Sequence, residues 1–189
     1  MRIFRAKMTD LDKVMDLHNR YHVKSIDPND KPDGFVTTDF TPEQLHVLVE
    51  KERGITIAMD GGCVIAYAMA ASWRFWSEWP LFAHMIEKLP ENTFSGQFLS
   101  IDNSYQYGPI CVDRRYRGSG VFQKVFDASL DSMAELYPFM VTFINQINHR
   151  SYTAHTQKVK MDTVCTFQFN QNDYYLLACH TRSAKELPS

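Results

Sequence analysis

The chain has 189 residues and a formal net charge of −2, with 44% hydrophobic and 13% aromatic residues. This composition excludes an intrinsically disordered chain, and the near-neutral charge excludes a protein built mainly to bind the phosphates of nucleic acid. Its length fits one domain better than two. The longest unbroken apolar run, Cys63–Ala71, is nine residues long and too short to cross a bilayer.

The four cysteines, Cys63, Cys111, Cys165 and Cys179, are scattered without CxxC or CxH spacing. This pattern predicts reduced thiols rather than a zinc site or a disulfide framework, so we expect no bound metal. The first residues are charged and lack the apolar core of a secretory signal. They predict a cytoplasmic protein without a membrane partner.

The first part of the chain predicts a strand, two helices and a loop between the helices. Residues 2–6 are expected to form a short strand, and Thr9 is expected to cap a helix with an apolar stripe. The stretch 27–39 contains prolines and a glycine and is predicted to be a loop. Thr41 followed by Pro42 then opens a second helix, because proline is favoured at the first helical position.

Gly54 is expected to end that second helix, and a β-hairpin is predicted directly after it. Two apolar runs, 55–59 and 63–67, flank the turn Asp60-Gly61-Gly62. Asp-Gly and Gly-Gly supply the positive φ angles that a tight hairpin turn requires. The two runs are therefore expected to pair as antiparallel strands.

A less regular stretch over 72–103 is interpreted as an insertion within the single domain. It contains a short predicted helix over 81–89 and a cluster of aromatic residues: Trp73, Phe75, Trp76, Trp79 and Phe82. Aromatic side chains dominate both protein cores and subunit contacts. The cluster therefore predicts core or a contact between two copies, so a homodimer stays open, and the wall of an acceptor pocket is the other interpretation.

The rest of the chain alternates between strands and helices. Strands are predicted over 105–112, 139–144, 164–169 and 174–179, and helices over 121–137 and 148–158. The first of these strands contains Gly108-Pro109, and because proline has no N–H to donate, the strand should separate from its neighbour there. The alternation predicts an α/β or α+β fold around a mixed sheet.

The most informative segment joins a predicted strand to a predicted helix through a basic loop. Three arginines lie between Asp113 and Gly118. Gly118 and Gly120 fall where the helix begins, so backbone N–H groups and the positive end of the helix dipole converge there. The glycines also allow an anion to approach the backbone closely. This arrangement predicts a site for a multiply charged anion such as a diphosphate.

An ordinary strand-to-helix turn is the alternative interpretation of an isolated glycine pair. The order of strand, basic loop and amphipathic helix favours the anion site. Two other phosphate motifs are excluded, because a P-loop requires G-x-x-x-x-G-K-[ST] and a dinucleotide fold requires a third glycine near Gln123.

Two motifs resemble those of a known family. The loop Arg115-x-x-Gly118-x-Gly120 resembles the acyl-CoA diphosphate loop, [Q/R]-x-x-G-x-[G/A], of the GCN5-related N-acetyltransferases (GNAT). The segment Asn148-x-x-Ser151-x-x-x-His155 is similar to a second cofactor motif of that family, and the order of elements is similar from about residue 3 to 179. The resemblance implies a GNAT-like mixed, centrally splayed β-sheet flanked by helices.

The resemblance also implies which residues bind acetyl-CoA. The backbone of Ile110, Cys111 and Val112 would pair with the pantetheine arm. Asn148 would bond the pantetheine, with Ser151 and His155 facing the sulfur end. An ordinary helix cap is the other interpretation of Asn148, because asparagine is favoured at that position. The diphosphate would lie against the basic loop and the start of the following helix. The residues implied there are Arg115, Arg117, Gly118, Ser119, Gly120, Val121 and Phe122.

Acetyl transfer from a thioester to an amine requires removal of the amine proton and protonation of the leaving thiolate. Where the family often has a tyrosine acid this sequence has His155, and Tyr152 is a second candidate one helical turn earlier. No glutamate lies on the strand before the loop to act as base. Tyr105 and Tyr107 are candidates to order a proton-relaying water, although half-buried strand aromatics are the other interpretation.

These features predict an acetyl-CoA-dependent N-acetyltransferase that transfers the acetyl group directly to a primary amine of a small molecule or polypeptide. No nucleic acid is expected as a partner. A regulatory or interaction protein of the same fold that binds acyl-CoA without turnover stays open, because the usual tyrosine and glutamate are absent.

Overall fold

The structure, a computed structural model, describes residues 1–29 and 34–181. The strands of this part are β1 Arg2–Arg5, β2 Ile55–Asp60, β3 Cys63–Ala71, β4 Thr93–Phe94, β5 Gln97–Phe98, β6 Ser104–Val112, β7 Phe139–Asn145, β8 Asp162–Phe169 and β9 Asn172–His180. The helices are α1 Leu11–Arg20, α2 Pro42–Glu50, α3 Trp73–Trp76, α4 Pro80–Lys88, α5 Val121–Met133 and α6 His149–Thr153.

Seven strands form one mixed sheet in the order β1-β2-β3-β6-β7-β9-β8, and β4 pairs with β5 separately. The β6–β7 pair is parallel, whereas β1–β2, β2–β3, β7–β9 and β8–β9 are antiparallel. The predicted mixed sheet flanked by helices is confirmed. By its internal contacts the chain divides into two compact units, Met1–Ala70 with Gly108–Ser132, and the described residues of Ala71–Tyr107 with Met133–Ser189. A single domain with an insertion over 72–103 stays a prediction.

The first unit contains the predicted hairpin. β2 and β3 are antiparallel, and the turn residues Gly61 and Gly62 have φ angles of 54° and 81°. The α2 start is also as predicted, because the Thr41 hydroxyl accepts from the Gln44 N–H while the Gln44 side chain accepts from the Thr41 N–H. The described part of the predicted loop 27–39 lies outside the named helices and strands, and residues 30–33 fall outside the described chain.

Two predicted helix boundaries in this unit are wrong. Thr9 lies inside a short 3₁₀ turn before α1, where the Asp10 carboxylate accepts from the Lys7 N–H at 3.0 Å, so Thr9 is not the cap. Helix α2 ends at Glu50, well before Gly54. Gly54 instead allows a close backbone approach, because a Cβ built there would lie 1.7 Å from the Ala70 carbonyl oxygen.

Helix α5 begins at Val121 as predicted but ends at Met133, four residues before the predicted end. Leu136, an apolar residue that extended the helical pattern, is 66% exposed. Pro138 follows closely, and a proline disfavours helical backbone in the residue before it. A turn takes the place of the last predicted helical residues, with the Tyr137 N–H bonded to the Met133 carbonyl.

The second unit contains the aromatic cluster of the 72–103 stretch. Its members Trp73, Trp76 and Phe82 are buried, as the core interpretation predicts, whereas Phe75 and Trp79 are half-buried. Trp73 and Trp76 are fully buried. The Trp73 indole N–H donates to the Ser104 hydroxyl at 3.0 Å, and Phe82 stacks on Trp76 with ring centroids 4.8 Å apart. Phe82 also meets Phe143 of β7 edge-on at 5.1 Å. The helix predicted over 81–89 is α4, whereas α3 and the β4–β5 ribbon were not predicted.

The β6–β7 ladder is short, which agrees with the predicted separation. It contains three residue pairs and ends at Gln106–Val141, although β7 continues to Asn145. The Gly108-Pro109 peptide that follows is cis. At the other end of the unit, β8 and β9 are joined by Asn170 and Gln171, both at positive φ, rather than by the predicted four-residue link.

Candidate functional site

The first group of predicted site residues lies at the end of β6. Cys111 is buried, and burial raises the pKa of its thiol to about 12, so this sulfur is an inert core group. Ile110 and Val112 are half-buried. The Asp113 N–H donates to the Ile65 carbonyl of β3 at 2.8 Å, which fixes the point where the strand turns into the basic loop.

Asp113 is the internal anchor of the loop. Its carboxylate is 3% exposed and accepts from the Arg115 backbone N–H at 3.0 Å and from the Arg115 guanidinium at 3.1 Å on each oxygen. Arg20 of α1 donates to the same carboxylate at 2.8 Å. Burial alone would raise the pKa of Asp113, but the Arg115 hydrogen bonds and the two guanidinium charges outweigh it and hold the pKa below its ordinary value. The buried carboxylate is therefore ionised at neutral pH.

Three further contacts fix the middle of the loop. The Arg117 side chain donates from Nε to the Val112 carbonyl at 3.1 Å, and its guanidinium lies over the Tyr21 ring at 5.3 Å. The Tyr21 hydroxyl accepts from the Arg114 N–H at 2.7 Å. The sequence predicts that Arg115 and Arg117 bind the ligand directly. In the structure, their side chains stabilise the conformation of the loop. The Arg115 side chain remains 74% exposed, so it also presents charge to solvent.

The glycines of the loop have the conformation that an anion cradle requires. Gly118 and Gly120 have φ angles of 83° and 82°, and a Cβ built on either would meet no atom within 4 Å. Space in front of the backbone is therefore open at both positions. Ser119 turns its hydroxyl back to the Tyr116 carbonyl at 2.6 Å. Val121 and Phe122 begin the 13-residue helix α5, whose first N–H groups point out of its N-terminus.

A second group of predicted residues lies in the second unit, at α6. Asn148 caps this short helix, with its side-chain oxygen accepting from the Ser151 N–H at 3.1 Å. The cap occupies the side-chain oxygen of Asn148, and the amide N–H groups of the same side chain can donate to another partner. After α6 the chain forms a π-helical turn, Ala154–Lys158, which contains His155. Such turns occur mostly as single insertions and frequently at functional sites.

His155 is buried, and its hydrogen bonds define its state. Its Nδ1 lies 2.7 Å from the Ser151 carbonyl oxygen, and because a carbonyl can only accept, Nδ1 carries the proton. Burial lowers the pKa of His155 to about 4, with the Ser151 bond opposing it. The imidazole is therefore neutral at pH 7, with its lone pair on Nε2. Its ring meets the Tyr107 ring edge-on at 5.8 Å.

The tyrosines predicted as catalytic candidates have different surroundings. Tyr107 and Tyr105 of β6 are fully buried, so they are more deeply packed than the sequence suggested. Tyr105 packs against Tyr137 with centroids 5.6 Å apart, away from the His155 contact of Tyr107. Tyr152 stacks on Tyr175 at 4.1 Å, and its hydroxyl is bonded to the Thr163 hydroxyl at 3.0 Å. The structure thus brings Tyr107, Ser151 and His155 together.

Sequence reasoning missed Arg20 and Tyr21, and it gave Asp113 no role beyond its charge. The missed residues lie about 90 positions before the loop that they contact, so no local spacing links them. One signal was available for Asp113. An aspartate directly after a buried strand and two residues before an arginine is placed to accept the first N–H of a turn, as it does here.

The sheet order, with a parallel β6–β7 pair whose ladder ends at Gln106–Val141, defines a class: the chain has the fold of the GCN5-related N-acetyltransferases, and the predicted resemblance is confirmed at the level of fold. One solved structure with this fold is an acetyltransferase of the GNAT family from Streptococcus pneumoniae. It has a TM-score of 0.62 and 12% identity, with 95% of this chain and 98% of that chain covered.

Two other N-acetyltransferase-fold structures extend the comparison. The ribosomal-protein-S18-alanine N-acetyltransferase from Escherichia coli has a TM-score of 0.60 and 11% identity, with 100% of this chain and 99% of that chain covered. The acetyltransferase yncA from Salmonella typhimurium, solved with its cofactor acetyl-CoA, has a TM-score of 0.60 and 13% identity, with coverage of 100% and 97%. No protein-family model matches this sequence, and no curated protein is similar to it.

Two further observations concern partners. Within residues 1–29 and 34–181, no cluster of three or more His, Cys, Asp or Glu side chains is arranged to hold a metal ion. Over the same residues, none of the helices combines the length and the apolar character that crossing a bilayer demands.

Proposed function

We propose that this protein is an N-acetyltransferase that uses acetyl-CoA and transfers the acetyl group directly to a primary amine of a small molecule or polypeptide. The observation that carries the proposal is the loop before α5. It has two left-handed glycines with open space in front of them, at a helix N-terminus, in a fold shared with acetyltransferases. All four cysteines are free thiols, which fits a reducing compartment, and we place the reaction in the cytoplasm.

The loop fits a diphosphate by its shape and its charge. The proposed diphosphate ligands are the backbone N–H groups of Gly118, Gly120, Val121 and Phe122, together with that of Ser119, which in this structure donates to the Tyr116 carbonyl at 3.3 Å. The exposed Arg115 guanidinium adds positive charge beside them, and the helix dipole favours an anion at the same place. Arg117 contributes by holding the backbone through the Val112 carbonyl. The fit therefore rests on backbone donors, with the arginines setting their geometry and the local field.

The remaining cofactor contacts follow the family motif. The backbone of Ile110, Cys111 and Val112 is proposed to pair with the pantetheine arm, and the amide N–H groups of Asn148 are proposed to donate to it. Because the Asn148 oxygen already caps α6, this residue is oriented before a ligand arrives. Ser151 and His155 are proposed to face the sulfur end.

Acetyl transfer requires two proton movements, and the residues around His155 are the candidates to assist them. The acceptor nitrogen forms a C–N bond with the acetyl carbon, the C–S bond breaks, and one proton must leave the amine while the sulfur gains one. His155 is neutral with Nδ1–H donated to Ser151, so we propose that it acts through the Nε2 lone pair as a hydrogen-bond acceptor. Tyr107, whose ring meets the imidazole, is the proposed proton donor of the group, with Tyr152 and Tyr105 as the less favoured candidates.

A second function is favoured by one observation. A histidine with a pKa near 4 is a poor general acid at neutral pH, and the sequence has no glutamate on β6. An acyl-CoA-binding protein without turnover would have both features. The two functions share the loop and differ only in chemistry.

The proposal is tested by measuring acetyl-CoA binding calorimetrically and thiol release with a panel of primary amines. We expect binding together with CoA release for at least one small-molecule or peptide amine. Binding without release for any amine would favour the non-catalytic function. Failure to bind acetyl-CoA would remove both, and competition by ATP would indicate a nucleotide-binding loop instead.

A further inference from the structure

The C-terminal end of α1, Arg20 with the cap residue Tyr21, contacts the basic loop at three residues. Arg20 donates to the buried Asp113 carboxylate at 2.8 Å, and Tyr21 accepts from the Arg114 N–H at 2.7 Å. The Tyr21 ring also lies beneath the Arg117 guanidinium. Two neighbouring residues of one helix end therefore reach both ends of the segment that precedes Gly118.

The backbone around Tyr21 makes a second set of contacts. Its carbonyl accepts from the Val36 N–H at 3.0 Å, and the neighbouring Val23 N–H donates to the Val36 carbonyl at 2.8 Å. Tyr21 is buried as a whole residue, at 9% exposure, so its side chain is packed between these partners. One residue thus connects the basic loop to the segment around Val36.

The segment that follows Val36 is held by the same end of α1. His18 donates from Nε2 to the Thr38 carbonyl at 2.9 Å and accepts at Nδ1 from the Tyr67 hydroxyl at 2.7 Å. Lys24 pairs with Asp39 at 2.6 Å. The stretch 36–39 and the basic loop are therefore anchored to one short piece of chain, residues 18–24.

We propose that Arg20 and Tyr21 are positioning residues for the diphosphate loop, and that a ligand on this loop restrains the stretch 36–39 through Tyr21. The inference rests on the proposed use of coenzyme A. Backbone N–H donors bind an anion well only when they converge before it arrives, because otherwise the ligand's binding energy is spent on ordering the loop. Asp113, Arg114 and Arg117 are the residues through which Arg20 and Tyr21 fix that convergence.

Paired variants test the positioning role by calorimetry with coenzyme A and dephospho-CoA, which keeps the diphosphate but lacks the 3′-phosphate. Tyr21→Phe removes one hydrogen bond and keeps the ring, and Arg20→Met removes the guanidinium. We expect each to weaken coenzyme A binding roughly three- to tenfold, and dephospho-CoA binding by the same factor. Tyr174→Phe and Lys13→Met, which touch no part of the loop, should bind both compounds like the unmodified protein.

Three other results of the calorimetry would each refute part of the proposal. Unchanged affinity in Tyr21→Phe and Arg20→Met, with the unmodified protein binding coenzyme A, would refute the positioning role and leave the proposed function intact. A loss confined to coenzyme A would show that these residues contact the 3′-phosphate instead. An unmodified protein that does not bind coenzyme A would refute both the inference and the proposed function.

A measurement on the unmodified protein tests the coupling without any variant. We expect hydrogen exchange of the backbone amides at 36–39 to slow several-fold when coenzyme A is added. Adding dephospho-CoA should slow it equally. No change at 36–39, with protection at 118–122, would refute the coupling through Tyr21.

Discussion

Gly62 and Gly120 share nearly the same backbone conformation, with φ angles of 81° and 82° and no atom within 4 Å of a Cβ built on either. Gly62 lies in the β2–β3 turn, whereas Gly120 precedes α5. The two positions therefore impose the same conformational requirement on a substituted side chain. They differ in function, because the proposed diphosphate site includes Gly120 and not Gly62. Substitutions at the two positions therefore form a matched pair.

Gly120→Val is expected to abolish measurable acetyl-CoA binding, while Gly62→Val keeps it. Both variants should lose about 1–2 kcal/mol of unfolding free energy, because a β-branched residue is strained at positive φ. Calorimetry for binding and urea unfolding for stability separate the two effects. Affinity of Gly120→Val within twofold of the unmodified protein would show that the loop is misplaced as the diphosphate site.

The part of this fold that could be predicted from the sequence is the part set by local rules. The Gly61-Gly62 turn, the Thr41 cap and the strand-loop-helix at Gly118 each depend on residues within a few positions of one another, and each is present. The boundaries at Thr9 and Gly54 depend on a competing carboxylate and on a strand about 16 residues away, so local propensity misjudged them.

The features of the candidate site also divide into those set by nearby residues and those set by residues distant in sequence. Its glycines and its Asn148 cap follow from spacing, whereas the roles of Arg20 and Tyr21 arise only when α1 packs beside the loop. The lowered pKa of His155 could not be inferred either, because it results from burial and from a π-helical turn that no sequence pattern indicates.

Asp113→Asn should destabilise the protein by about 3 kcal/mol at pH 7, because it leaves guanidinium groups facing a neutral amide where a buried carboxylate balanced them. The pKa of Asp113 is lowered in the folded state. Its stabilisation is thus fully present above the ordinary aspartate pKa of about 3.9 and is lost as the pH falls below it.

Urea unfolding at pH 7 and at pH 3 measures both effects. The difference between Asp113→Asn and the unmodified protein should shrink at pH 3. Asp16→Asn, on the exposed face of α1 and away from the basic loop in sequence, serves as the control and should change stability little at either pH. An equal loss for the two substitutions would refute the anchoring role of Asp113.

His155→Asn should reduce the pH dependence of stability on the acid side. Burial lowers the folded pKa of His155 to about 4, so the unfolded chain binds this proton more tightly and stability rises with pH between about 4 and 6.5. The unmodified protein should therefore lose roughly 2 kcal/mol more than His155→Asn between pH 7 and pH 4.5. The exposed His149, six residues earlier, provides His149→Asn as the control. Parallel pH profiles for all three proteins would contradict the burial of a neutral imidazole.

Gly54→Ala is expected to destabilise the protein by at least about 3 kcal/mol, because its methyl group would overlap the Ala70 carbonyl oxygen and the backbone must move. Gly54 cannot relax easily, since its N–H is bonded to the Leu48 carbonyl and its carbonyl to the Ala70 N–H. Gly61→Ala, in a turn with open space, is the control and should cost much less. Thermal and urea unfolding give the two values, and equal losses would refute the close approach.

A crystal structure of the protein with coenzyme A tests the central proposal most directly. We expect the phosphate oxygens of the diphosphate to lie within hydrogen-bond distance of the backbone N–H groups between Gly118 and Phe122. A diphosphate bound at any other part of the chain, with this loop left empty, would contradict it.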